Sequence, residues 1–191
     1  NDIGFETYQK ILNEAIDELK ETEFKSLYNE DINTKEFVRD VTLDSDFSLL
    51  FPDDYVNNIT ERLSLYTQLN TLKTEEELQH FERDLIDRFG ALPKQVMDLL
   101  DSVRIKWLAT TLGFDKIVMK NHKLIGYFIS DQNSRFYQSI HFSKLLQYVQ
   151  AHPQSCSIKE KQMRLGLRLL MRFSNINSVQ QALEALKPIL A

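Results

Sequence analysis

Glycine is scarce in this chain. Only five occur in 191 residues, Gly4, Gly90, Gly113, Gly126 and Gly166, and no two lie close together. A loop that cradles phosphate needs clustered glycines, because several backbone N–H groups must converge on one anion. No Gly-Lys-Ser or Gly-Lys-Thr occurs either, which argues against a nucleotide-hydrolysing site within the sequence. Cysteine is scarcer still. Cys156 stands alone, so no internal disulfide can form and nothing points to an oxidising compartment. No apolar run approaches the roughly 20 residues that span a bilayer. No signal peptide precedes the first helical pattern. These absences lead to the expectation of a cytoplasmic chain. It opens at Asn1 directly into an amphipathic pattern, and so reads as an interaction domain cut from a larger protein.

Ligand sets and nucleophiles are also thin. The four histidines, His80, His122, His141 and His152, fall on different expected elements, and none has a partner histidine at helical spacing. His152 and Cys156 are four apart, but Pro153 intervenes and no second ligand pair exists for a four-ligand zinc site. No motif surrounds Cys156 that would make it a nucleophile. Asp53 and Asp54 are the one adjacent carboxylate pair. After Pro52 they read as turn residues near a helix start, since catalytic carboxylates need opposed positions. No enzyme is expected here.

What the chain does contain is an ordinary globular composition, 42% hydrophobic and 27% charged. That suits one domain with a core plus an appended helix or linker. The net charge of −5 hides an internal division. Up to Asp101 there are 24 acidic and 10 basic residues; from Ser102 onward there are 4 and 13. The division reads either as two halves neutralising each other in one fold or as two interaction surfaces.

Hydrophobic spacing organises the rest. Phe5, Tyr8, Leu12, Ala15 and Leu19 mark one helical stripe, and residues 22–35 form a polar linker, giving a boundary at 1–35 and 36–191. Phe37 to Leu43 alternates like a strand and leads to the Pro52-Asp53-Asp54 turn. Three helices follow. Asn58 with Glu61, and Thr74 with Glu77, have capping spacing; Gly90 suits a left-handed helix end; Pro93 suits a first turn; Gly113 closes the third helix. Ile117–Met119 and Leu124–Ile129 flank a hairpin turn, and residues 134–151 return to helical spacing until Pro153. Met163 to Phe173 alternates at period two, which predicts a strand carrying Arg164, Arg168 and Arg172 on one face. A last helix covers 178–186. The class expected is α+β: an N-terminal helix and linker, a three-helix group, then a small antiparallel sheet with two further helices.

Two surfaces invite a partner. The arginine strand could meet phosphates, although single-strand binders add stacking aromatics and none alternates with these arginines. The second helix has Leu78, Phe81, Leu85, Ile86 and Phe89 as its apolar stripe, with Glu77, His80, Asp84 and Asp87 on the other side. This acidic strip reads as a solvated face or as a docking strip for a basic partner.

Particular residues then carry a resemblance. Leu50-Phe51-Pro52-Asp53-Asp54-Tyr55-Val56, Arg62-Leu63-Ser64-Leu65-Tyr66, Glu76-Glu77-Leu78 and Leu85 through Pro93 stand in an order that resembles the C-terminal domain of bacterial transcription-repair coupling factors (Mfd). Gly4-Phe5-Glu6 with Tyr8 looks like the end of that family's motor region, so 1–35 would connect an upstream motor to a C-terminal regulatory domain at 36–191. The resemblance implies a non-catalytic, autoinhibitory domain that docks on the UvrB-like module of its own polypeptide and hides the UvrA-binding surface. The parent would be an ATP-dependent DNA translocase in bacterial transcription-coupled DNA repair. ATP and Mg would belong to its motor, and UvrA, RNA polymerase and DNA would be met through it. No membrane and no cofactor are expected for the domain itself. Asp84 and Asp87 match the family's acidic contact positions, with Glu77, His80 and Arg88 beside them. The alternative is a nucleic-acid-binding accessory module that uses the basic half.

Overall fold

A computed structural model describes residues 37–191. The expected N-terminal helix and linker fall outside the described residues. Three helices follow one another, and the first two begin where short polar side chains satisfy backbone N–H groups that a helix start leaves unpaired. Helix α1 spans Ile59–Thr71, and the Asn58 side chain accepts from the Glu61 N–H at 3.1 Å. Helix α2 spans Glu75–Phe89, with Thr74 Oγ1 accepting from the Glu77 N–H at 3.2 Å. The Glu77 carboxylate reaches back to the N–H of Lys73 at 2.7 Å, one residue ahead of the cap. Helix α3 spans Lys94–Leu112, directly after Pro93.

Both glycine stops differ in a useful way. Gly113 has φ 79 and ψ 21, the left-handed cap that the sequence suggests. Gly90 has φ 89 and ψ −166 instead of left-handed helical values, a region that only glycine enters without strain. The α1–α3 group encloses its own core of Phe51, Val56, Leu65, Leu69, Leu78, Phe81, Leu85, Val96, Leu99 and Leu100.

The remaining chain builds a five-stranded sheet from β1 (Thr42–Ser45), β2 (Phe114–Lys120), β3 (Lys123–Phe128), β4 (Cys156–Met163) and β5 (Gly166–Ser174), in the order β1-β2-β3-β5-β4. Two helices complete it, α4 (Ile140–Ala151) and α5 (Val179–Leu186, capped by Ser178). The β2–β3 turn is Asn121-His122, with φ 54 and 62, the two positive values that a two-residue type I′ turn requires.

The α+β class stands, and three segments differ from their sequence reading. The first strand lies at Thr42–Ser45 rather than Phe37–Leu43, and it joins β2 in parallel, so the sheet is mixed. The helix expected from 134 starts only at Ile140. Arg135–Gln138 is a short 3-10 turn, and Ser139 then caps α4 through its hydroxyl. The period-two run from Met163 to Phe173 is not one strand. It holds the last residue of β4, a two-residue turn at Arg164-Leu165, and β5. Met163 sits opposite Gly166, so it shares a face with Arg168 and Arg172 and not with Leu167, Met171 and Phe173: the sequence alternates without a break while the facing inverts at the turn.

One sheet face is buried. Phe114, Ile117, Met119, Leu124, Phe128, Cys156, Met171 and Phe173 pack with Ile105, Ala109 and Leu112 of α3, Leu145 of α4, and Val179, Ala182, Leu183 and Leu186 of α5. Phe136 is the hub. Its ring lies 5.8 Å from Phe37, 6.1 Å from Phe128 and 5.6 Å from Phe142. A Cβ on Gly113 would come within 2.2 Å of that ring, which fixes glycine there a second time.

Candidate functional site

Helix α2 places the acidic strip. Leu78, Phe81 and Leu85 are buried, and Phe89 is half-buried. At 100° per residue the opposite face then holds Glu76, His80, Arg83, Asp84 and Asp87, all exposed. Ile86 is 43% exposed rather than part of the buried stripe, because it lies a quarter-turn from the stripe's centre. Arg83 was not singled out by the spacing argument, and its cation interrupts the strip. The uninterrupted acidic part is therefore the C-terminal end, Asp84 and Asp87.

The five sequence candidates separate by their partners. Glu77 is engaged in the helix cap. Arg88 pairs with Glu61 of α1 and lies over the Phe89 ring at 4.8 Å, so it ties two helices together. His80 Nε2 lies 3.5 Å from an Asp84 carboxylate oxygen, both side chains largely exposed. Asp87 makes no hydrogen bond or ion pair to another described residue. The end of the helix is itself held firmly. The Tyr55 hydroxyl donates to the carbonyl of Gly90 at 2.9 Å and lies 3.3 Å from that of Leu85, and burial pushes its pKa up.

Electrostatics makes this position informative. The C-terminal end of a helix carries partial negative charge, and an acid there is unfavourable by about 0.3 kcal/mol or more. Asp87 lies in the last turn of α2 and makes no ion pair with a described residue; Arg88, the cation of that turn, pairs with Glu61 instead. Local stability does not explain it.

Comparison with known proteins identifies the fold. The sequence model of the TRCF domain matches residues 45–139, a stretch that includes all of α1–α3 and the β2–β3 hairpin. The transcription-repair-coupling factor of Escherichia coli is 37% identical over 115 residues, covering 60% of this chain and 10% of that protein. That of Rickettsia typhi is 29% identical over 189 residues, 98% of this chain and 15% of that protein. A crystal structure of the C-terminal domain of transcription-repair coupling factor superposes with a TM-score of 0.57 at 17% identity, covering 79% of this chain and 92% of the other. The chain belongs to the TRCF domain family. It spans only a small part of the length of its curated relatives.

Within the TRCF domain the other sequence candidates take structural places. Asp53 lies 3.6 Å from Arg62, whose Nη1 also donates to the Val56 carbonyl at 2.7 Å, so it belongs to the turn before α1. The Cys156 thiol is buried, its pKa raised by that burial, and its sulfur lies 3.6 Å from the His152 carbonyl. His122 contacts the Asn177 side chain at 2.6 Å, and His152 stacks on Tyr148 at 4.0 Å. Among the described residues no group of three or more His, Cys, Asp and Glu side chains could hold a metal ion. No described helix is long and apolar enough to cross a membrane.

The three arginines do not form one strand face. Arg164 is at the exposed hairpin turn. Arg168 pairs with Asp115 and donates to the Phe128 carbonyl, with its guanidinium 5.5 Å from the Tyr127 ring centre. Arg172 shares Arg168's face, four residues along β5. Gly166, a single glycine in that apolar and basic run, was the available signal for a turn.

Proposed function

We propose that the chain is the C-terminal regulatory domain of a transcription-repair coupling factor, and that the end of α2 docks it on the UvrB-like module of the same polypeptide. In that closed state it would hide the UvrA-binding surface. The parent's ATP-driven motor, with its Mg, would lie upstream, and RNA polymerase and DNA would be engaged by other parts of the protein.

One observation carries this reading. Asp87 sits unpartnered at a helix end that disfavours acids, beside the exposed Asp84, on a helix whose other charged candidates are committed within the domain. A basic docking surface supplies the missing partner, and charge pairs of this kind set register and specificity. The contact has to be moderate, because a closed state that must open can be favoured by only a few kcal/mol.

The test is charge reversal. Asp84→Lys with Asp87→Lys should weaken binding to the separately prepared UvrB-like module by about tenfold or more. The same change should leave the melting temperature unaltered or slightly raised, since it removes acids from a helix C-terminus. Unchanged affinity would remove this face from consideration.

A further inference from the structure

The second face of the sheet is basic, with exposed cations at its β4 edge and a buried centre, where Leu170 and Tyr127 are 6% and 7% exposed. Residues directly opposite in paired strands share a face, so the registers assign it Lys116, Val118 and Lys120 of β2; Lys123, Ile125 and Tyr127 of β3; Arg168, Leu170 and Arg172 of β5; and Ser157, Lys159 and Lys161 of β4. The buried stripes of α1–α5 go to the two cores described above, and Val118, Ile125, Tyr127 and Leu170 belong to neither. Among the described residues, no helix packs on this face.

Its charges are unbalanced. Lys120 pairs with Asp44 at 2.9 Å and Arg168 pairs with Asp115. Lys116, Lys123, Lys159, Lys161 and Arg172 have no carboxylate partner among the described residues. Four of them lie on one diagonal. Lys161 and Lys159 are two residues apart on β4; Arg172 is one strand over and two residues along; Lys123 is again one strand over and two along. With strands about 4.8 Å apart and a rise of about 3.4 Å per residue, each step is roughly 7–8 Å. That is a track of evenly spaced cations.

We infer that this track binds the phosphate backbone of a single-stranded nucleic acid. Even spacing suits a polymer with one negative charge per repeat better than a folded protein's irregular acidic surface. A broad sheet face cannot enter a duplex groove, which admits a helix or a two-stranded ribbon. The face offers no free stacking platform, because the Tyr127 ring is nearly buried and flanked by Lys116 at 5.6 Å and Arg168 at 5.5 Å. Binding is therefore electrostatic and indifferent to base sequence. It is independent of the α2 docking reading, since the two surfaces share no residue.

Fluorescence anisotropy of a labelled oligothymidylate, titrated with the whole chain at several salt concentrations, tests it. Four neutralised phosphates give a slope of about −3 in log affinity against log salt, from the single-strand relation of about −0.7 per contact. Lys159→Glu with Lys161→Glu should cost about tenfold in affinity, and Arg172→Glu alone a smaller factor. Both residues of the double change are exposed on an edge strand, so that variant keeps its fold even if Arg172→Glu does not. Lys73→Glu, far from the track in sequence and ahead of α2, should bind like the parent chain. Absence of binding at low salt, a slope shallower than about −1, or equal losses at Lys73 would overturn the inference. So would tighter binding of polyglutamate than of the oligonucleotide, which would assign the face to an acidic protein segment.

Discussion

The domain contains two cores of different construction. The α1–α3 core draws its ten buried residues from one stretch, Phe51 to Leu100, and is mostly leucine and valine. The sheet core gathers nineteen, from Ile105 to Ile189, and centres on phenylalanine rings stacked around Phe136. The first is assembled from neighbours in sequence, the second from strands that pair across long separations, with β1 meeting β2 over more than seventy residues. Helix α3 serves both, giving Val96, Leu99 and Leu100 to one core and Ile105, Ala109 and Leu112 to the other. The contrast separates a core built from distant segments from one built locally. The larger aromatic core anchors the domain, while the smaller one presents α2 to solvent.

The strongest way to break this contrast is at the aromatic hub. Phe136→Ala should cost about 3–5 kcal/mol, because it leaves a cavity among rings on three sides. Thermal melting followed by circular dichroism reads the loss. A cost near zero would mean that the sheet core does not depend on the ring cluster. Leu85→Ala, in the helical core, should cost about 2–4 kcal/mol and is measured in the same way. It also lies one residue from Asp84, so binding through α2 should weaken along with stability.

The smallest effect sharpens the seam between α2 and α3. Arg104 donates to Glu75 at 2.7 Å and to Asp101 at 2.8 Å, and the guanidinium holds the Glu75 carboxyl below its ordinary pKa. A carboxylate whose pKa is lowered by folding contributes stability that is complete above its unfolded pKa. That contribution is lost as pH falls through the folded value. Glu75→Gln should therefore destabilise by about 0.5 kcal/mol at neutral pH, a small value because the pair is partly exposed. Denaturant melts of the two proteins should converge as pH falls below the ordinary glutamate range and through the lowered folded pKa, where the parent carboxylate takes up its proton.

Local features were legible in the sequence, and long-range ones were not. The Asn58 and Thr74 caps and the Asn121-His122 turn depend on residues within a few positions, and each forms. The β1 strand is four residues long and is placed by pairing with a segment far along the chain, so its own alternation could not position it. The β4–β5 hairpin was concealed because apolar residues recur at every second position from Met163 to Phe173, although Met163 faces the other side of the sheet from the apolar residues after the turn. For the α2 strip, periodicity found the right face but could not tell which charges were already engaged. Glu77 and Arg88 are bound by Lys73 and Glu61, contacts that need the cap geometry and the neighbouring helix to be seen. The basic sheet face was hidden for a related reason. Its cations come from four strands whose order no local pattern reveals.

The division of charge at the middle of α3 has a further consequence. From Phe37 to Asp101 the chain carries 14 acidic and 6 basic residues, and from Ser102 onward it carries 4 and 13. The described residues thus carry their acidic excess before the middle of α3 and their basic excess after it, two poles of the sequence joined by one helix. In the field of a polyanion such a distribution would favour approach by the basic part of the chain over the acidic part. Partners of opposite sign would each be drawn to a different part of the chain.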